Sequence, residues 1–170
     1  MRLTRREVLI AGAAAALLPR GAFAEASALS AQARTALSAS PLVYVSALKR
    51  DGSESRCHAE VWFVRDGDSA LIVTSAKAWR AQAIRQGLTR ARLWAGDFGE
   101  WSGKLDDTRY RGAPDFLAQA SLETTQAAHD HALVLFGSKY TQEWGSWGPR
   151  IKDGLADGSR VLIRYRATGA

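Results

Sequence analysis

Two Asp-Gly pairs, Asp51-Gly52 and Asp66-Gly67, interrupt a run of β-branched and aromatic residues, and they constrain this chain more than any other feature. Glycine takes positive φ without steric cost, so Asp-Gly between apolar runs marks a hairpin. The first strand is Leu42–Lys49, the second Arg56–Val64, and the third Ala70–Ser75 after the Arg65-Asp66-Gly67-Asp68 turn, giving an antiparallel meander. The period then changes. Ala76–Gln86 places Trp79, Ala83 and Gln86 on one side of a helix, with Gly87 at the left-handed C-cap. Strand character returns at Arg90–Ala95, Gly96-Asp97-Phe98-Gly99 turns the chain, and Glu100–Leu105 is expected to pair back as a fifth strand. Pro114 opens an expected helical region running to Tyr140. A last strand, Ser159–Arg166, alternates Val161, Ile163 and Tyr165 with Leu162 and Arg164. Hairpins with helices set between strands three and four and between five and six predict a mainly β, α+β domain: a six-stranded antiparallel barrel, closed or nearly so.

The N-terminus reads as an export signal. Thr4-Arg5-Arg6-Glu7 precedes the apolar run Val8–Leu18, and Ala22-Phe23-Ala24 offers small residues where a signal peptidase cuts. Residues 1–24 are therefore expected to engage the twin-arginine translocase and to be removed after Ala24, leaving a periplasmic protein. The run is shorter than the roughly 20 residues that span a bilayer, so no stable membrane insertion is expected after cleavage. Residues 25–40 carry Leu29, Ala33, Ala36 and Leu37 at helical spacing, a lead-in helix ending at Ser40-Pro41, and 41–170 form one domain. Without residues 1–24 the 23 basic and 17 acidic residues become 19 and 16, and the net charge falls from +6 to +3. That modest, scattered charge argues against a nucleic-acid partner. Cys57 is the only cysteine, which excludes an internal disulfide, and it is expected to be a small buried strand residue.

Chemistry is suggested by Leu71-Ile72-Val73-Thr74-Ser75-Ala76-Lys77-Ala78-Trp79-Arg80, a strand ending in two hydroxyls and a helix starting with two cations. Thr74, Ser75, Lys77 and Arg80 together could cradle a phosphate; the structural alternative is that Ser75 caps the helix and the cations are solvated. Among the other polar residues, His129-Asp130-His131 places its histidines two apart, on different sides of a helix, which disfavours a shared metal. Asp106-Asp107 lacks the further acids of a calcium loop. Trp144 and Trp147, beside Gly145 and Gly148, read as an aromatic loop packed in the core or in a dimer interface.

The succession of the Asp51-Gly52 turn, the Asp66-Gly67-Asp68 turn, a strand ending Thr74-Ser75 and a basic helix resembles the FMN-binding split barrels related to pyridoxamine 5'-phosphate oxidase. Ser138-Lys139-Tyr140 and Val161-Leu162-Ile163-Arg164 resemble that family's C-terminal half. The resemblance implies that Thr74, Ser75 and Arg80, with Lys77 nearby, hold a flavin phosphate. It places the flavin ring along the strand of His58, Ala59 and Glu60, near a homodimer interface. It implies FMN as cofactor, with deazaflavin or haem as alternatives within the superfamily, and an oxidoreductase needing no catalytic side chain. The competing function is a cofactor-free periplasmic carrier or accessory protein on the same fold.

Overall fold

The computed structural model describes residues 28–104 and 107–168. The expected export signal, residues 1–24, lies outside the described residues. Seven strands, not six, form one antiparallel sheet in the order β2-β1-β5-β6-β7-β4-β3, with four α-helices. β1 (Leu42–Leu48) and β2 (Glu54–Trp62) form the first hairpin, and Gly52 at its turn has φ 83°. β3 (Val64–Asp66) and β4 (Ser69–Ser75) form the second. β5 (Arg90–Gly96), β6 (Asp115–Glu123) and β7 (Arg160–Ala167) fill the middle of the sheet.

The outermost strands, β2 and β3, are separated in the chain by Phe63 alone. Consecutive Cα atoms are about 3.8 Å apart, so the sheet has to curl until its two edges meet. The expected second strand is thus divided: its first part pairs with β1 and its last with β4. At that crossing the ladder is interrupted, and a side chain takes its place. The Tyr140 hydroxyl accepts a hydrogen bond from Phe63 N–H (2.9 Å) and lies 2.8 Å from both the Phe63 and Pro41 carbonyl oxygens, either of which can take its proton. Its ring stacks on Trp62 at 4.4 Å.

Three clusters hold the fold. The barrel interior is filled by Val43, Val45, Phe63, Ile72, Leu93, Phe116, Ile163 and Tyr165, joined by Leu29, Ala33 and Leu37 at the lead-in helix α1 (Ala31–Ala39). Ser30 caps α1 by accepting from Ala33 N–H. Outside, Leu71 and Leu162 pack under α3 (Gln126–Lys139) and α4 (Trp144–Ala156), through Phe136, Tyr140, Ile151 and Leu155. β4 is consequently buried on both faces and reads as a continuous apolar run. A third cluster stacks Tyr44 on Tyr110 at 4.9 Å and adds Trp94.

Two expectations for the middle of the chain are corrected. Residues 100–104 form no strand; the strand that pairs with β5 is β6, within the region expected to be helical. Its alanines suggested helix, but Phe116, Ala118 and Ala120 are buried at period two against the barrel interior. Trp144 and Trp147 lie on α4, not in a loop. Glycine permits this: a Cβ on Gly137 or Gly148 would lie 2.9 Å or 2.8 Å from the Trp144 indole, which wedges between α3 and α4.

Lys139, just before Tyr140, has its Nζ buried without a hydrogen-bond partner among the described residues, 3.4 Å from the centre of the Phe63 ring. Burial pulls this amine down to about 8. Adjacent substitutions should therefore act in opposite directions. Tyr140→Phe, which strands the Phe63 N–H, should destabilise by about 1–3 kcal/mol in urea unfolding. Lys139→Met should stabilise at pH 7. The unfolded lysine holds its proton more tightly than the folded one, so wild-type stability rises between about pH 8 and 10.5 and the gap to Lys139→Met closes there. A gap independent of pH would refute this account of Lys139.

Candidate functional site

The helices α3 and α4 cover the outside of β4 and β7, whereas edge strand β2 is half-buried to exposed throughout its length. Pairing with β1 is regular from Trp62 to His58 and then slips: Ser46 faces His58, but Leu48 faces Glu54. The bulged residues Ser55, Arg56 and Cys57 stand opposite Ala47 alone, and such a bulge re-aims side chains. It explains why Cys57, expected to be buried, is exposed. A cavity of about 330 Å³ opens here, bounded by Arg56, Cys57, His58, Trp79, Arg80 and Trp101 over a floor of Val45 and Ala47.

Arg80 enters this cavity from α2 (Trp79–Arg85), where burial lowers its pKa. Its Nη1 donates to Oγ1 of Thr74, itself buried at the end of β4. Among the described residues Arg80 has no carboxylate within ion-pair distance. Its electrostatic neighbours are Tyr165, Glu60 and Cys57, and burial pushes the Tyr165 phenol up to about 12, so Tyr165 stays uncharged. A half-buried guanidinium satisfied only by a hydroxyl is suited to an anionic ligand. Trp101 adds an indole N–H that is buried without a partner among the described residues.

His58 contributes an imidazole from β2. Its Nδ1 lies 3.1 Å from the Tyr110 hydroxyl, and its ring meets Trp101 edge-on at 5.8 Å. Burial lowers the His58 pKa, with Glu54 opposing and Arg111 assisting, and burial raises that of Tyr110. A protonated phenol donating to Nδ1 leaves the proton of neutral His58 on Nε2.

The sequence-derived residues divide. Arg80 and His58 line the cavity, and Thr74 reaches it only through its bond to Arg80. Ser75 and Lys77 are exposed and do not line it; Ser75 Oγ accepts from Lys77 N–H at 3.2 Å in the turn between β4 and α2. The helix begins at Trp79, later than expected, and is capped by Ala78 without a side-chain bond, so Ser75 is not its N-cap either. The turn is fixed through Ala76, whose N–H donates to the Ser159 carbonyl and whose own carbonyl accepts from Gln82 and Arg85. Arg56, Trp101 and Tyr110 were not foreseen. Alternation along β2 would have placed His58 and Arg56 on one face, but Trp101 and Tyr110 arrive from a loop and a 3-10 turn (Arg109–Gly112) far along the chain. His129 and His131 do not meet: one contacts the Glu123 carbonyl, the other Asp66. No group of three metal-binding side chains occurs among the described residues.

No family model matches this sequence, and no curated protein matches it. Solved structures do. The chain is similar to HutZ, the haem storage protein of Vibrio cholerae, with 14% identity over 81% of this chain and 88% of that one, and a TM-score of 0.54. A conserved hypothetical protein of Mycobacterium tuberculosis shares 20% identity over 84% and 83%, also with TM-score 0.54. ChuZ of Campylobacter jejuni shares 13% over 79% of this chain, which spans only 51% of ChuZ, with TM-score 0.55. The fold is that of these split-barrel proteins. Identities this low speak to the fold alone.

The geometry of His58 makes a titration prediction. Because its folded pKa is lowered, the unfolded chain takes up the proton first, and stability is lost as pH falls below about 6.5. The imidazole proton resonances of His58 should titrate with a midpoint below 6.5, moving towards it in Tyr110→Ala, which opens the ring to water. A wild-type midpoint at or above 6.5 would contradict the buried, neutral imidazole.

Proposed function

We propose that this chain is an exported flavin-binding split barrel that holds FMN at the β2 cavity, its phosphate at Arg80. The observation that carries the reading is the Arg80 guanidinium, half-buried, oriented by Thr74 and without a carboxylate partner among the described residues. The Trp101 indole N–H, without a partner among the described residues, and nearby Arg56 add donors of the kind a phosphate or a ring carbonyl takes up. Lys77, exposed beside the same turn, adds long-range charge. A bound flavin would supply electron transfer. The chain's own residues would bind and orient it, and His58, with its proton on Nε2, could hold or pass a proton at the cavity edge.

A second reading, haem, is favoured by one feature: in the other tautomer His58 Nδ1–H donates to the Tyr110 hydroxyl, which leaves an unprotonated Nε2 for a ligand. Similarity to a haem storage protein supports the fold needed for it. A homodimer joined near the cavity, and export with cleavage after Ala24, complete the proposal. Replacing Arg5 and Arg6 with lysine should leave uncleaved precursor in the cytoplasm, and normal periplasmic yield would refute the export route.

Titration of the apo-protein with FMN, riboflavin, deazaflavin and haemin decides the ligand. FMN should bind more tightly than riboflavin. Arg80→Ala removes a charge-assisted hydrogen bond worth about 1.5–3 kcal/mol, a loss of about 10- to 150-fold in FMN affinity. Lys77→Ala should cost less, since that side chain is exposed. Equal binding of riboflavin, with Arg80→Ala unaffected, would refute the phosphate site. Haemin binding lost in His58→Ala would favour the second reading, and binding of none of the four the cofactor-free carrier.

A further inference from the structure

A second, larger cavity of about 620 Å³ lies beyond the flavin cleft, between β2 and helix α4. Trp62 and Trp147 meet there at 67° with ring centres 6.1 Å apart, forming an aromatic corner. Trp62 is held from behind by its stack on Tyr140, while Trp147 is 40% exposed and carries the Arg150 guanidinium, which does not line the cavity, 5.3 Å from its ring centre. Glu60 and Glu100 bring two carboxylates to the same cavity. Glu60 is anchored by the Trp101 backbone N–H at 3.2 Å, and the Glu100 carboxylate has no ion-pair partner among the described residues. Arg160 is the cavity's one lining cation. Its aliphatic stem lies across Gly154, and its guanidinium makes no hydrogen bond or ion pair among the described residues.

Indole faces beside carboxylates attract an organic ammonium, because the ring quadrupole and the carboxylates act on the same positive charge. A lone guanidinium in the same cavity calls for an anion. Neither a simple cation nor a simple anion satisfies both. We propose that this cavity binds a small zwitterion: an alkylated ammonium against Trp62 and Trp147 with Glu60 and Glu100 beside it, and a carboxylate or phosphate at Arg160. The site uses neither Arg80 nor His58 and does not rest on the flavin reading.

Phosphocholine, glycine betaine and choline are the probes, titrated calorimetrically into the full protein. Both zwitterions should bind saturably, and choline, which lacks the anion, about tenfold more weakly. Trp147→Ala should weaken all three by about tenfold or more, and Glu100→Gln should act in the same direction. Arg160→Gln should abolish the advantage of the zwitterions over choline. Neither Arg80→Ala nor saturating FMN should weaken binding, which separates this site from the flavin cleft. The proposal is overturned if neither zwitterion binds saturably below about 10 mM, a free energy weaker than about 3 kcal/mol. It is equally overturned if binding survives both Trp147→Ala and Glu100→Gln unchanged, or if Arg80→Ala abolishes it.

Discussion

The fold turns on the Tyr140 hydroxyl. A sheet whose two edge strands are separated by one residue has to close on itself, and at the closing residue neither edge can continue its ladder. Phe63 would present a buried N–H and C=O with no strand partner, each costly to leave unmade. Tyr140 meets both from the end of α3, so one phenol fastens the barrel edge to the helical cover. The Phe63 side chain fills the barrel interior, and Trp62 stacks on the Tyr140 ring. Lys139 is tied to the same place, its amine set over the Phe63 ring.

Closure also decides where ligands can go. With α3 and α4 covering β4 and β7, the outer face of β2 meets a helix only at its Trp62 end, against Trp147 of α4. His58, Glu60 and Trp62 stand in a row along it, because side chains alternate across a strand. The loop after β5 crosses this row, with the Trp101 ring against His58 and the Trp101 backbone N–H bonded to Glu60. One cavity therefore opens on the His58 side of the crossing and another on the Trp62 side. Their chemistries differ: cations dominate the first, whereas the second mixes two acids, one cation and an aromatic corner.

The elements set by local signals were legible. Asp51-Gly52 and Asp66-Gly67 mark real turns, Gly87 sits at positive φ after α2, and the alternation of β7 is as expected. β6 was misread because Phe116-Leu117-Ala118-Gln119-Ala120 has a composition compatible with a helix, and only its pairing with β5 and β7 makes it a strand. Part of the candidate site was legible for the same reason: Thr74 and Arg80 belong to one local strand-turn-helix segment. Tyr110 and Trp101 were not, since they reach His58 from 52 and 43 positions along the chain, and no local pattern records such a meeting.

By itself, then, the sequence determined the two Asp-Gly hairpins, the lead-in helix, the alternation of the last strand, and the placing of hydroxyls and cations around one turn. These depend on backbone preferences and periodicities acting over a few residues. Tertiary structure decided that the second expected strand splits at Phe63, that Cys57 comes to the surface in a bulge, and that Arg80 enters a cavity while Lys77 stays in solvent. Each of those depends on which strand edge meets which. That is settled by burying apolar area and satisfying backbone groups across the whole barrel, a sum over distant contacts that no local stretch of the chain contains.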